Sequence, residues 1–132
     1  MRHGREAVLR AIVGIAVAGA AGALARYGVG GLVGRYQAGA FPWGTFLVNV
    51  AGSFVLGLLF AALTGRMTVS PTTRDALTIG FVGAFTTFST FSLETFTLLE
   101  EGAYGLAAIN VLGSLTLGLI AVWGGITIGR AL

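Results

Sequence analysis

Cysteine and lysine are absent from this chain, and proline occurs only twice. Without cysteine there is neither a disulfide framework nor a thiolate metal site. Histidine occurs once, at His3 in the N-terminal lead, so zinc chemistry and imidazole acid–base catalysis have almost no material. The acids are Glu6, Asp75, Glu94, Glu100 and Glu101, and they form no paired-carboxylate constellation within a span. No enzymatic class finds its residues here. Charged residues make up 10% of the 132, against 55% hydrophobic. A chain this short cannot bury that much apolar surface in one core, so lipid must cover the rest. The basic residues are all arginine and lie mainly at segment ends, which suits membrane interfaces rather than nucleic-acid binding.

What is present divides into four membrane-length apolar segments, and the expected fold is an all-α membrane protein forming a single domain over residues 1–132. The spans are expected at 11–27, 43–63, 76–99 and 103–128. Residues 1–10 form a basic, amphipathic lead. With the small residues before Arg26 they also resemble a signal peptide, but the segment is nearly long enough to span. Gly14, Ala18 and Gly22 repeat at i+4, a spacing that lets two helices approach closely. Residues 27–42 read as a glycine-rich connection, ending at Pro42, which suits a helix first turn. Trp43 stands at interface level. Residues 64–75 read as a polar loop, with Ser70, Thr73 and Asp75 as capping candidates.

The third segment holds the least comfortable stretch. Residues 80–91, GFVGAFTTFSTF, carry three threonines, a serine, four phenylalanines and two glycines, with no charge. Glycine costs about 1 kcal/mol against alanine in a helix, and Ser and Thr compete for backbone hydrogen bonds. At membrane depth an irregular backbone is tolerated only where protein or a watery cavity surrounds it.

Polar side chains recur at helical spacing in three spans. Thr45, Asn49 and Ser53 share one helix face, continued by Gly57; Asn110, Ser114 and Gly118 share another. Thr86, Thr87 and Thr90 lie within one turn of each other. Intramembrane polar groups are costly and usually face a bundle interior. Periodicity leaves two readings open: a polar pore, or hydrogen-bonded glue between helices. The pore reading favours an anion, since hydroxyls and carboxamides donate without the fixed positive charge that would trap it. Phe88 and Phe91, at i and i+3, could present electropositive ring edges to it, although a phenylalanine stripe is also ordinary packing. Glu94 is the one acid well inside a span. It reads either as a vestibule group tuning ion access or as an interface carboxylate paired with Arg26.

Three blocks carry a family resemblance: GAAGALARY at 19–27, FPWGTFLVNVAGSFVLG at 41–57, and residues 80–91 followed by Ser92 and Glu94. Their order and spacing resemble the fluoride channels of the Fluc, or CrcB-type, family. The resemblance implies a passive fluoride channel that exports fluoride and gives fluoride resistance. It implies four helices per subunit, the third broken at its centre, in an antiparallel dimer with two pores. It also implies a structural Na⁺ on the dimer axis, held by the backbone carbonyls of Gly83 and Thr86. Phe88 and Phe91 match the phenylalanines of the fluoride path, Asn49 its asparagine, and Thr87, Thr90 and Ser114 its hydroxyl track. Arg26 matches the vestibule arginine. Two departures are Asn110, where tyrosine is common, and Ala18, where glycine is common.

The arginines also bear on orientation. Arg2, Arg5, Arg10, Arg66, Arg74 and Arg130 share the side of both termini, against Arg26 and Arg35 opposite. That bias predicts cytoplasmic termini in a prokaryotic plasma membrane. It also raises a choice between an antiparallel homodimer and a heterodimer with an oppositely oriented paralogue. The competing reading is a small dual-topology multidrug or cation exporter, which needs a membrane-embedded carboxylate, typically in the first span. That span has none.

Overall fold

The computed structural model describes residues 2–65 and 69–131, all helical apart from short connections. Arg66, counted above on the side of the termini, lies outside the described residues. Helix α1 spans Arg2–Tyr36, α2 Trp43–Thr64 and α6 Tyr104–Ala131. The third span, Pro71–Glu100, is composite. It runs as α3 (Pro71–Asp75), a π-helical stretch (Ala76–Val82), α4 (Gly83–Phe85) and α5 (Phe88–Glu100). All four spans are long and apolar enough to cross a membrane.

The first span differs from expectation. Residues 27–36 are not a loop; the helix continues through Gly28, Gly30, Gly31 and Gly34 to Tyr36. No proline interrupts it before Pro42. A backbone near lipid must satisfy its own polar groups, and a helix does so despite the glycine penalty. At ~1.5 Å per residue, α1 outruns a hydrocarbon core of roughly 30 Å. The tight connection to α2 uses Gly39 at φ +93°, a conformation open to glycine. Pro42 caps α2 from just outside it, its carbonyl accepting from Phe46 N–H at 3.0 Å.

The third span begins at Pro71 rather than Ala76. Ser70 is the capping residue, its hydroxyl accepting from Thr73 N–H at 3.1 Å, with Pro71 in the first turn. The span ends in a Schellman motif: Ala103 N–H bonds Leu98 carbonyl at 2.8 Å and Gly102 N–H bonds Leu99 carbonyl at 3.1 Å. Gly102 sits at φ +74°.

Close backbone approach holds the bundle together, as expected where lipid offers no hydrophobic drive between helices. A methyl group added at Gly57 would strike the carbonyl of Val122, and one at Gly125 the carbonyl of Phe54. One at Gly129 would come within 2.6 Å of Leu58 carbonyl. These contacts seat α6 against α2. The small residues of α1 do the same against the third span. Gly22 abuts the carbonyl of Phe81, and a methyl group at Gly80 would lie 2.8 Å from Ile15 carbonyl and 3.0 Å from Ala18 Cβ. Outward-facing Val17, Leu24, Leu115, Leu119 and Trp123 are exposed in the isolated chain, a surface suited to lipid.

Candidate functional site

The polar stripe of α2 meets the third span where that span stops being helical. Thr86 and Thr87 are extended, at φ −80°, ψ 159° and φ −151°, ψ 116°. Thr87 N–H donates to Asn49 Oδ1 at 2.8 Å, and Asn49 Nδ2 donates to Thr87 carbonyl at 3.0 Å. Thr87 then caps α5, its hydroxyl accepting from Thr90 N–H at 3.3 Å. In a continuous α-helix those two N–H groups would bond the carbonyls of Gly83 and Thr86. Both are diverted, so that pair of oxygens has lost its i+4 donors. The pair is the one expected from resemblance to face a cation.

Three neighbouring spaces, sharing lining residues, lie along the bundle from this break. A cleft of about 280 Å³ is bordered by Asn49, Gly52, Gly83, Thr86, Thr87 and Phe88. Thr87 also borders a chamber of about 220 Å³, with Arg26, Thr45 and Thr90. Thr45, Gly30 and Gly44 line both that chamber and a vestibule of about 520 Å³, which holds Glu94, Gln37 and Glu101.

The hydroxyls divide into occupied and available. Ser53 donates to Asn49 carbonyl at 2.7 Å and Thr86 to Val82 carbonyl at 3.1 Å, so both protons are spent on their own helix. Thr87 Oγ1 donates to Thr90 Oγ1 at 3.0 Å, and Thr90, which borders the chamber, donates its own proton to no partner among the described residues. Asn49 retains one of its two Nδ2 hydrogens. Glu94 accepts from Thr45 Oγ1 at 2.8 Å. It does not pair with Arg26, which corrects the interface-pair reading: Arg26 borders the chamber and Glu94 the vestibule beyond it. The only ion pair among the described residues joins Arg74 to Asp75, 3.6 Å apart.

Phe88 and Phe91 do come together, with ring centroids 5.8 Å apart and planes tilted by 37°. Phe88 borders the cleft and is 79% exposed in the single chain. Ser114 borders none of the three spaces, and its hydroxyl is buried without a partner among the described residues. One turn away, Asn110 is 1% exposed and donates from Nδ2 to Thr95 Oγ1 at 2.9 Å. Thr95 in turn donates to Phe91 carbonyl at 2.7 Å. Sequence reasoning missed Thr95 and Gly52. Thr95 was detectable as the residue one turn beyond Phe91.

Fold and site thus define a multi-pass membrane protein whose uncharged polar groups converge on a break in one span. The family described as "CrcB-like protein, Camphor Resistance (CrcB)" matches residues 13–126, and the chain belongs to it. Among its relatives is a protein of Geobacter sulfurreducens named "Fluoride-specific ion channel FluC". It is 50% identical over 121 residues, 92% of this chain and 98% of the relative. Proteins of the same name from Magnetococcus marinus and Opitutus terrae are 45% and 51% identical, covering 90% and 83% of this chain and 97% and 84% of their own lengths.

Proposed function

We propose that the chain is a fluoride-selective passive channel that exports fluoride across the plasma membrane of a prokaryote and so confers fluoride resistance. The observation that carries this reading is its 50% identity, across 98% of that relative, to a protein named a fluoride-specific ion channel. The cleft supplies the chemistry. A small, hard anion leaving water needs hydrogen-bond donors that replace its hydration without holding it fast. Asn49 and Thr90 keep such donors, on two neighbouring spaces that Thr87 borders. Phe88 and Phe91 add electropositive ring edges. Arg26 draws anions toward the chamber, and Glu94 tunes access from the vestibule.

The working unit is an antiparallel dimer. Support comes from Phe88, which borders the cleft and is 79% exposed, a position that a second chain would cover. The carbonyls of Gly83 and Thr86, with the matching pair of the second chain, fit a hard cation such as Na⁺, which prefers oxygen ligands. Their lost helical donors support that assignment. A bound cation there offsets the cost of bringing an anion into low dielectric. The arginine bias favours cytoplasmic termini and an oppositely oriented partner chain. Conduction by dimers of this chain expressed alone would remove the need for that partner.

The test is fluoride efflux from liposomes carrying the purified protein, with chloride efflux as control. Rapid fluoride loss with chloride retained is expected. Folded protein that passes no fluoride, alone or with an inverted partner, overturns the reading.

A further inference from the structure

We propose that Gly52 is a positioning residue: its missing side chain forms the notch that seats the Thr86 methyl group and so sets the direction of the Thr86 backbone at the break. Gly52 is buried on α2, three residues after Asn49, facing the same stretch of the third span. A Cβ built there would overlap Thr86 Cγ2 and would also lie 3.2 Å from Phe85 Cδ1. The methyl group has no easy escape. Thr86 Oγ1 is tied back to Val82 carbonyl at 3.1 Å, which fixes the side-chain rotamer and directs Cγ2 into the notch. Rotating the methyl away breaks that bond. Shifting the residue bodily pulls on Thr87, whose peptide is held on both sides by Asn49.

The second span therefore imposes the break with two neighbouring features. Asn49 bonds the peptide of Thr87, and Gly52 receives the side chain of Thr86. Extended residues at 86 and 87 are incompatible with a continuous helix, so α2 must supply both the bonds and the space they need. For the channel reading, on which this role in conduction rests, the consequence is that residue 52 controls where the Thr86 carbonyl points without touching any ion.

The decisive experiment is allele-specific suppression in the full-length chain, reading both fluoride efflux from liposomes and the thermal unfolding temperature in detergent. Gly52→Ala should lower fluoride flux by about tenfold or more, the scale on which overpacking acts. Thr86→Ser removes Cγ2 and keeps the hydroxyl, so it relieves the overlap that a Cβ at residue 52 would create. In combination with Gly52→Ala it should restore flux and unfolding temperature together. Gly57→Ala, which meets backbone rather than a methyl group, should not be rescued by Thr86→Ser. If Gly52→Ala fails to fold, recovery of a folded, conducting double variant supports the notch equally. The proposal is overturned if Gly52→Ala conducts normally, or if the double variant is as impaired as the single one. Should the wild type itself pass no fluoride, the channel reading fails, and the unfolding temperatures alone still decide whether the notch exists.

Discussion

The carboxamide of Asn49 and the peptide of Thr87 form two hydrogen bonds to each other, 2.8 and 3.0 Å long, across a separation of 38 residues. A side chain here does what a neighbouring strand does in a sheet. It satisfies a peptide that has left its own helix at a depth where water is scarce. The same residue lines the cleft, so its structural role and the conducting role proposed for it are not independent.

Replacing Asn49 with aspartate separates the two atoms of that pair. The carboxylate can still accept from Thr87 N–H, but it sets negative charge against Thr87 carbonyl and into the proposed anion path. Fluoride flux should be abolished, and stability should fall by about 1–3 kcal/mol, the cost of an unmade buried bond. Liposome efflux and thermal unfolding check the two effects. Retained flux would remove Asn49 from the pathway.

Phe88 offers the opposite case. Because it is 79% exposed in the single chain and packs chiefly on Phe91, Phe88→Ile should leave the unfolding of the chain nearly unchanged, within about 1 kcal/mol. Fluoride flux should nonetheless drop steeply, since an aliphatic side chain has no electropositive edge. A variant that loses stability but conducts would reverse this assignment.

The Asn110–Thr95–Phe91 chain of bonds predicts energetic coupling. Thr95→Val leaves the Nδ2 group of a residue only 1% exposed without its acceptor. It should cost about 1–3 kcal/mol. Asn110→Leu with Thr95→Val removes both partners and should cost less than the sum of the single changes. A double-mutant cycle by denaturant unfolding measures the difference, and strict additivity would mean that the two side chains act independently.

Gly125→Ala tests the seating of α6 on α2. The added methyl group meets Phe54 carbonyl and lies 2.8 Å from Leu58 N, both backbone atoms that cannot rotate aside. Destabilisation of at least 1–3 kcal/mol, roughly, is expected, read as a lowered unfolding temperature and loss of monodispersity.

Periodicity and composition carried much of this architecture. Four spans followed from apolar length, and the shared face of Thr45, Asn49 and Ser53 from i+4 spacing. The unease of residues 80–91 as a helix followed from their Gly, Thr and Ser content. These are local properties, written in neighbouring residues, and the resemblance in residues 41–57 and 80–91 added the names of site residues. The glycine-rich run after Arg26 misled because its turn preference was outweighed by the need to keep backbone bonds internal near lipid. What only the tertiary structure decided is how the break is held. That Asn49 bonds Thr87, that Gly52 makes room for Thr86, and that Thr45 rather than Arg26 meets Glu94 all depend on how the second span lies against the third. No local pattern encodes that register, because it is set by contacts between residues far apart in the chain: the bonds of Asn49 to Thr87, and Gly52 against the side chains of Thr86 and Phe85.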